Sequence, residues 1–411
     1  MVLASKVRLV SSRDETTASA GRALLSAAGQ ELLGRLAGVD VSPEAALALS
    51  ASLRGEYPAD LVAAALTQQA LRVAGRAKFS RADQMLFTRS GLEQASSEVT
   101  AQHAAERFAG ATAVADLCCG IGGNLIALAA AHSGARHVIG VDSDLVSLEL
   151  ARHNASVYAP PGKAAFACAD AREFRLAGID AIFIDPARRD ARGRLPAGAY
   201  MPPLGWCLRL AETVPWVGIK SAPGLRRDLV PPGWETEFVA AGRELKEALL
   251  WSPALAGPVS RATVLPSGDT LTSDADAAAE PAPLAMPGAF LFDPNPAITR
   301  AGLVAALAGQ LGAWQIDPMI AFLSADEPKQ TPFARTLRVV ESAPWHEKRF
   351  AARLRELGIG TADIRRRGLA GDVDRIHGRL GLRGPGAAVL VLTRVSGRPW
   401  GLICTPEPGP G

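Results

Sequence analysis

Five short apolar runs, AVADLC, HVIGV, AAFAC, AIFI and WVGIK, follow one another between residues 112 and 220, with helical stretches such as 145–154 between them. A strand that is apolar on both faces must be covered on both, and alternation with helices supplies that cover. The pattern therefore predicts an α/β fold with a parallel sheet between helical layers. Ligands of such sheets bind at the carboxyl ends of the strands, near the point where strand order reverses.

The flanks read differently. Residues 20–109 have helical spacing throughout: SPEAALALSASLRGEY, with Ser42 as N-cap and Pro43 at the first position, then YPADLVAAALTQQALRVAGRAKF, then GLEQASSEVTAQHAAERFA as one further helix. Residues 266–288, rich in Pro, Ala and Asp, have no period and read as either a linker or a long hairpin tip. Residues 289–405 mix strands (TLRVVES, AAVLVLTRV, WGLIC) with helices, an α+β pattern. One of those helices, 345–357, puts Phe350, Leu354 and Leu357 on one face and stops at Gly358. A chain of 411 residues exceeds one core, and the expected division is 1–109, 110–285 and 286–411.

The stretch ADLCCGIGGN, residues 115–124, ends the first apolar run and opens a helix near Asn124. Zinc ligands stand two to four residues apart, whereas Cys118 and Cys119 are adjacent and lack a second pair, so no metal is expected. A redox C-x-x-C is absent as well. What fits is a backbone cradle, because glycine lets N–H groups approach a ligand closely. The second run ends at Asp142, placed to accept from ribose hydroxyls. A dinucleotide fingerprint starting at Gly120 and Gly122 would need a third glycine where Leu125 stands. Asp116 before the turn would repel a pyrophosphate, yet it suits the ammonium and sulfonium of S-adenosylmethionine. Asp170 and Asp185 follow the third and fourth runs, so four aspartates close four successive strands.

On these residues, 112–223 resembles a class I S-adenosylmethionine-dependent methyltransferase, with a Rossmann-like fold. The whole chain is similar to a bacterial family of such enzymes carrying a C-terminal THUMP-like domain, through FTRSGLEQAS, DPARR, GIKSAPGL and IRRRGLAGDVDRIHGRLGLRG. The resemblance implies an N-terminal helical region roofing the site and S-adenosylmethionine as cofactor. It implies that Asp116, Cys118, Gly120, Gly122 and Asn124 line the methionine part, that Asp142 and Ser143 hold the ribose, and that Asp170 and Ala171 meet the adenine. Asp185 and Pro186 would face the methyl group as the catalytic pair. Amino-methylating relatives carry a second proline and an aromatic where Ala187 and Arg188 stand here. The similar RNA 5-methyluridine methyltransferases carry a nucleophilic cysteine after the fifth strand, and the matching stretch, Lys220-Ser221-Ala222-Pro223, has none, which disfavours carbon methylation; Cys207 reads as core.

Arg188, Arg189 and Lys220 form a basic rim at the expected site, read as substrate contacts. Between residues 335 and 398 there are 14 Lys and Arg against 6 Asp and Glu, although the chain totals only +3. Arg365, Arg366 and Arg367 close a strand there, an electrostatic footprint for nucleic acid. The expected partner is structured RNA, methylated on nitrogen or oxygen; a small metabolite, or RNA binding without catalysis, are the alternatives. An odd, sparse set of five cysteines and no apolar run near ~18 residues point to a cytoplasmic chain without a membrane partner.

Overall fold

The computed structural model describes residues 22–130, 135–187, 189–190, 193–194, 200–273, 281–369 and 372–407, with backbone only for 189–190 and 193–194. Two compact units form, one of residues 1–221 with 251–255 and one of 222–250 with 256–411. These limits differ from the divisions at 109/110 and 285/286 expected from composition. The N-terminal helices group with the parallel sheet, and the strands after residue 222 share a core with the C-terminal part.

In the first unit, helices α1 (Ala27–Arg35), α2 (Pro43–Leu53), α3 (Ala59–Gly75), α4 (Arg89–Gln94) and α5 (Glu98–Glu106) precede the sheet. The single helix expected over 91–109 is two. Ala95 leaves helical geometry (φ −59°, ψ 138°), and the Ser97 hydroxyl accepts from Thr100 N to cap a new start. A serine offered a backbone N–H three residues on prefers that cap to continuing the helix.

Strand β1 (Ala113–Leu117), helix α6 (Gly123–Ala129), β2 (His137–Asp142), α7 (Leu145–Tyr158), β3 (Ala164–Cys168), β4 (Ala181–Ile184), α8 (Leu204–Arg209) and β5 (Trp216–Ser221) follow. Within this unit the strands lie in the order β5-β4-β1-β2-β3, all parallel, as the five apolar runs predict. The order reverses between β1 and β4. Asp144 caps α7, accepting from Val146 N and Ser147 N at 3.2 and 3.1 Å.

Aromatic packing fills the core beside β4 and β5. Trp251, fully buried, meets Phe108 edge-on at 5.9 Å, and Phe108 meets Phe183 at 6.2 Å. Gly218 on β5 admits that indole: a Cβ there would stand 2.5 Å from Trp251 Cζ3. Cys207 is fully buried, the core position expected of it, and burial pushes its thiol up to about 12.

The second unit holds β6 (Glu235–Ala241), β7 (Glu244–Trp251, whose last residue belongs to the first unit), β8 (Ser260–Leu265) and β9 (Asp269–Thr272). β8 and β9 make an antiparallel hairpin, so the start of the 266–288 stretch is ordered turn and return strand; 274–280 lie outside the described residues. β10 (Phe290–Pro294), α9 (Pro296–Ala301), α10 (Val304–Leu311), β11 (Trp314–Gln315), β12 (Leu323–Ala325), β13 (Ala334–Pro344), α11 (Glu347–Glu356), β14 (Ile359–Arg366), α12 (Val373–Leu380), β15 (Gly386–Val395) and β16 (Arg398–Pro406) complete it. Seven of these strands form one sheet, β11-β12-β10-β13-β16-β15-β14, with β14 and β15 parallel. Phe350 and Leu354 of α11 are buried and Leu357 packs partly buried beside them, the face read from the sequence.

One buried side chain joins the N-terminal segment to the glycine-rich loop. Asn154 on α7, fully buried, accepts from Leu86 N at 2.8 Å and donates to Leu86 O at 3.0 Å and Ile121 O at 2.9 Å. Replacing it with Ala leaves three backbone groups unpaired, at ~1–3 kcal/mol each where water cannot reach them. Urea unfolding of Asn154→Ala should show a loss of about 3 kcal/mol or more. A loss below about 1 kcal/mol would mean the amide joins nothing that matters.

Candidate active site

A cavity of about 420 Å³ lies at the carboxyl ends of β1 and β4, where strand order reverses. One wall is the loop after β1, with Cys118, Cys119, Gly120, Ile121, Gly123 and Asn124. Asp142 at the end of β2 and Ser147 on α7 form a second, and Asp185, Pro186, Ala187 and Lys220 a third.

The loop's shape is local in origin. Cys118 (φ +62°), Gly120 (φ +54°) and Gly122 (φ +91°) all take left-handed backbone, open to glycine without strain. A Cβ at Gly122 would press on Ala151 at 3.3 Å, so this glycine also lets α7 approach. Asp142 fixes the loop's crest, because Oδ2 accepts from Gly120 N at 2.8 Å while Oδ1 accepts from Asp144 N at 2.9 Å. With the Ser143 N–H also directed at this carboxylate, one of its roughly four lone-pair sites stays open for a ligand hydroxyl.

The fourth wall was absent from the residue-by-residue expectations. Thr88, Ser90, Gly91, Glu93, Gln94 and Ser96 line the cavity from α4 and its flanks. Thr88 Oγ1 accepts from Gly91 N at 2.9 Å at the helix start. At its other end the Lys78 ammonium donates to the carbonyls of Leu92, Glu93 and Ala95 at 2.8–3.0 Å. A Cβ on Gly91 would fall 2.6 Å from Ile121 Cγ2, so α4 lies directly on the glycine-rich loop. The FTRSGLEQAS stretch and the expected helical roof are the only sequence signals for this wall.

Charge in the site is mostly negative. Asp116 is fully buried behind the lining, and neither carboxylate oxygen has a hydrogen-bond partner. Burial, then the neighbouring Asp185 and Asp142 charges, raise its pKa well above the usual carboxylate range. Burial likewise raises Asp142. Burial holds Cys118 and Cys119 as neutral thiols, far from a thiolate nucleophile or metal ligand. Among the described residues no group of three or more His, Cys, Asp or Glu is placed to hold a metal.

Lys220, expected on a substrate-contacting rim, instead donates to Asp185 Oδ2 at 2.7 Å, with only 12% of its side chain exposed. Asp170 forms an ion pair with Arg172 at 2.6 Å, and neither it nor Asp116, Gly122, Ser143 or Ala171 is among the lining residues. Arg188 lies outside the described residues, and Arg189 is placed by backbone alone, in a two-stranded ribbon with Arg194. Arg365, Arg366 and Arg367 sit together at the end of β14 in the second unit.

Comparison with known proteins agrees with this geometry. Residues 114–187 match a methyltransferase domain, residues 334–406 a THUMP domain-like family and residues 17–75 a domain of unknown function. The chain is similar to a protein of Mycobacterium tuberculosis, in strains H37Rv and CDC 1551, named as an uncharacterized S-adenosylmethionine-dependent methyltransferase. Identity is 36% over 323 residues, 76% of this chain and 85% of that protein. Its fold is similar to a crystal structure described as a "putative methyltransferase from Porphyromonas gingivalis W83", with TM-score 0.73 and 20% identity, over 98% of this chain and 100% of that one. The chain therefore belongs to the class I S-adenosylmethionine-dependent methyltransferases with a C-terminal THUMP-like domain.

The residues present suit that cofactor. The unpartnered Asp116 carboxylate, the unpartnered buried Asn124 Oδ1 and Ser96 Oγ, and three aspartates against one lysine favour a cationic, donor-rich ligand over a pyrophosphate.

Asp116 gives the ligand-free protein a pH signature. Its pKa is raised on folding, so its contribution to stability is full below the unfolded value of ~3.9 and is lost as pH rises through the folded value. The melting temperature of the ligand-free protein should rise on acidification from neutral pH toward about 5, and Asp116→Asn should flatten that rise. An equally steep rise in Asp116→Asn would move the effect to another group.

Proposed function

We propose that this methyltransferase modifies a nitrogen or oxygen of structured RNA, such as rRNA or tRNA. The observation that carries the reading is the basic excess between residues 335 and 398, which coincides with the THUMP-like match at 334–406. THUMP domains proper are RNA-binding modules, and a positive field of this kind favours polyanions. The five cysteines form no disulfide, and we assign the protein's work to the cytoplasm on that ground.

In this reading the cofactor, when bound, supplies an electrophilic methyl on a sulfonium. Cys118, Gly120 and Asn124 surround its methionine part with Asp116 and Gly122 behind them, Asp142 with the adjoining Ser143 holds the ribose, and Asp170 and Ala171, beyond the lined cavity, meet the adenine. In-line displacement asks the protein mainly to align nucleophile and methyl. Asp185, beside Pro186, accepts a hydrogen bond from the target's N–H or O–H and orients the lone pair. The Lys220 ammonium, donating to it at 2.7 Å, fixes its rotamer. Lys220 is thus a positioning residue rather than a phosphate contact, and substrate contact near the site falls to Arg188 and Arg189.

Two variants separate binding from chemistry. Asp142→Ala removes the ribose acceptor and the brace on Gly120, and calorimetric titration with S-adenosylmethionine should weaken roughly tenfold or more. Unchanged affinity would remove Asp142 from the cofactor site. Asp185→Ala should lower turnover ~10²-fold with a smaller change in cofactor affinity, and full turnover would remove it from the chemistry. The RNA reading itself is tested by nucleoside mass spectrometry of RNA from a strain lacking the gene against its parent. One methylated nucleoside should disappear, and its return should require Asp185. Identical nucleoside profiles would overturn the reading and favour a small metabolite.

A further inference from the structure

We propose that the second unit contains a phosphate pocket formed by Arg243, Arg365 and Arg366, with Arg367 and Asp293 as its frame. The proposal deepens the RNA reading, and rests on it for the source of the phosphate but not for the anion itself.

A cavity of about 360 Å³ is lined by Arg243, Asp293, Phe322, Arg365, Arg366 and Arg367, four guanidinium groups against one carboxylate. Two carboxylates of this region each hold two arginines. Asp293, whose side chain is 4% exposed, accepts from Arg243 at 2.7 Å on one oxygen and from Arg367 at 2.8 Å on the other. Asp363 is shared between Arg335 at 3.0 Å and Arg365 at 3.1 Å. Each acid thus serves two arginines, and five cations gather around two anions. Other arginines of this unit are balanced locally: Arg338 pairs with Glu407, and Arg349 and Arg353 are met by Glu341 and Glu356. Four guanidinium groups, three of them consecutive in the chain, thus converge on one cavity.

The arginines of the triplet are not equivalent. Arg367 donates to Asp293, to Pro294 O at 3.2 Å and to Thr299 Oγ1 at 3.4 Å, and lies over the Phe322 ring at 5.1 Å. Its planar head is used up holding β10 and α9 to the end of β14. Arg243 is the missed member. It follows Gly242 (φ +57°) at the turn between β6 and β7, far outside the THUMP-like match. Burial and the charges of Arg365, Arg335 and Arg367 lower its pKa, a cost that an incoming anion removes. Guanidinium groups fixed by carboxylates present donors in a rigid fork matched to phosphate oxygens. A cavity of this size accepts a phosphate with part of its attached sugar.

The test uses the full chain, with two probes: millimolar inorganic phosphate read by thermal shift, and a fluorescein-labelled RNA hairpin read by anisotropy. Arg243→Gln combined with Arg365→Gln should abolish the phosphate-induced shift. It should weaken the hairpin about tenfold and flatten the salt dependence by ~1.4–1.8 across about 50–200 mM. Arg349→Gln combined with Arg353→Gln, a charge-matched control, should change either by less than about twofold. If the double variant does not fold, Arg366→Gln, whose guanidinium donates to Leu369 O at 3.0 Å, carries the same readouts at half the slope change. Phosphate and hairpin responses equal to wild type in the folded variants would overturn the pocket and leave the RNA reading standing. A phosphate shift lost in the variant, with no hairpin binding by wild type, would support the pocket and overturn the RNA reading.

Discussion

Asn154 is the hinge on which the first unit's arrangement turns. A primary amide can donate and accept at once, and here it pairs with one residue of the N-terminal segment on both sides and with the glycine-rich loop as well. Neither segment has regular ladder partners at those points, so a buried backbone would otherwise be left unpaired. The amide converts two irregular stretches into opposite walls of one cavity. Lys78 does similar work at the end of α4, where a single ammonium satisfies three carbonyls that a helix of six residues cannot satisfy internally.

The electrostatics of the cavity follow from that enclosure. Burying a charged Asp116 beside two other carboxylates is unfavourable unless a proton or a cation arrives, and the Lys220 ammonium is already committed to Asp185. The fold therefore holds a negative deficit at β1 and β2 while keeping Asp185 paired at β4. Cofactor recognition and target orientation draw on different aspartates. Separate variants can for that reason be expected to separate affinity from turnover.

How much of this is legible in the sequence depends on the range of the interactions. The five parallel strands are, because burial on both faces writes each as a continuous apolar run. Asp142 and Asp185 are, since they immediately follow strands whose ends define the site. The break at Ser97 is not, because GLEQASSEVTAQHAAERFA keeps a helical period across it while a local cap wins. The α4 wall is not, since its place depends on Ile121, 30 residues on, and on the lack of a Cβ at Gly91. Arg367 cannot be told from Arg365 and Arg366 by position alone, because what distinguishes it is a carboxylate 74 residues earlier. Lys220 reads as an exposed cation until β4 and β5 are seen to be neighbours, which puts it against Asp185.

Trp251 belongs to the first unit although residues 222–250 of the second precede it in the chain. Its indole fills the space left by Gly218 and closes the aromatic group with Phe108 and Phe183. During synthesis, the ribosome must therefore deliver residues 222–250 before the cofactor-binding unit can complete its core. A nascent chain stopped at 221 has every strand of its parallel sheet but a hole where the largest side chain belongs. Order of emergence and order of assembly do not coincide in this protein, and its catalytic half is finished from within its neighbour's sequence.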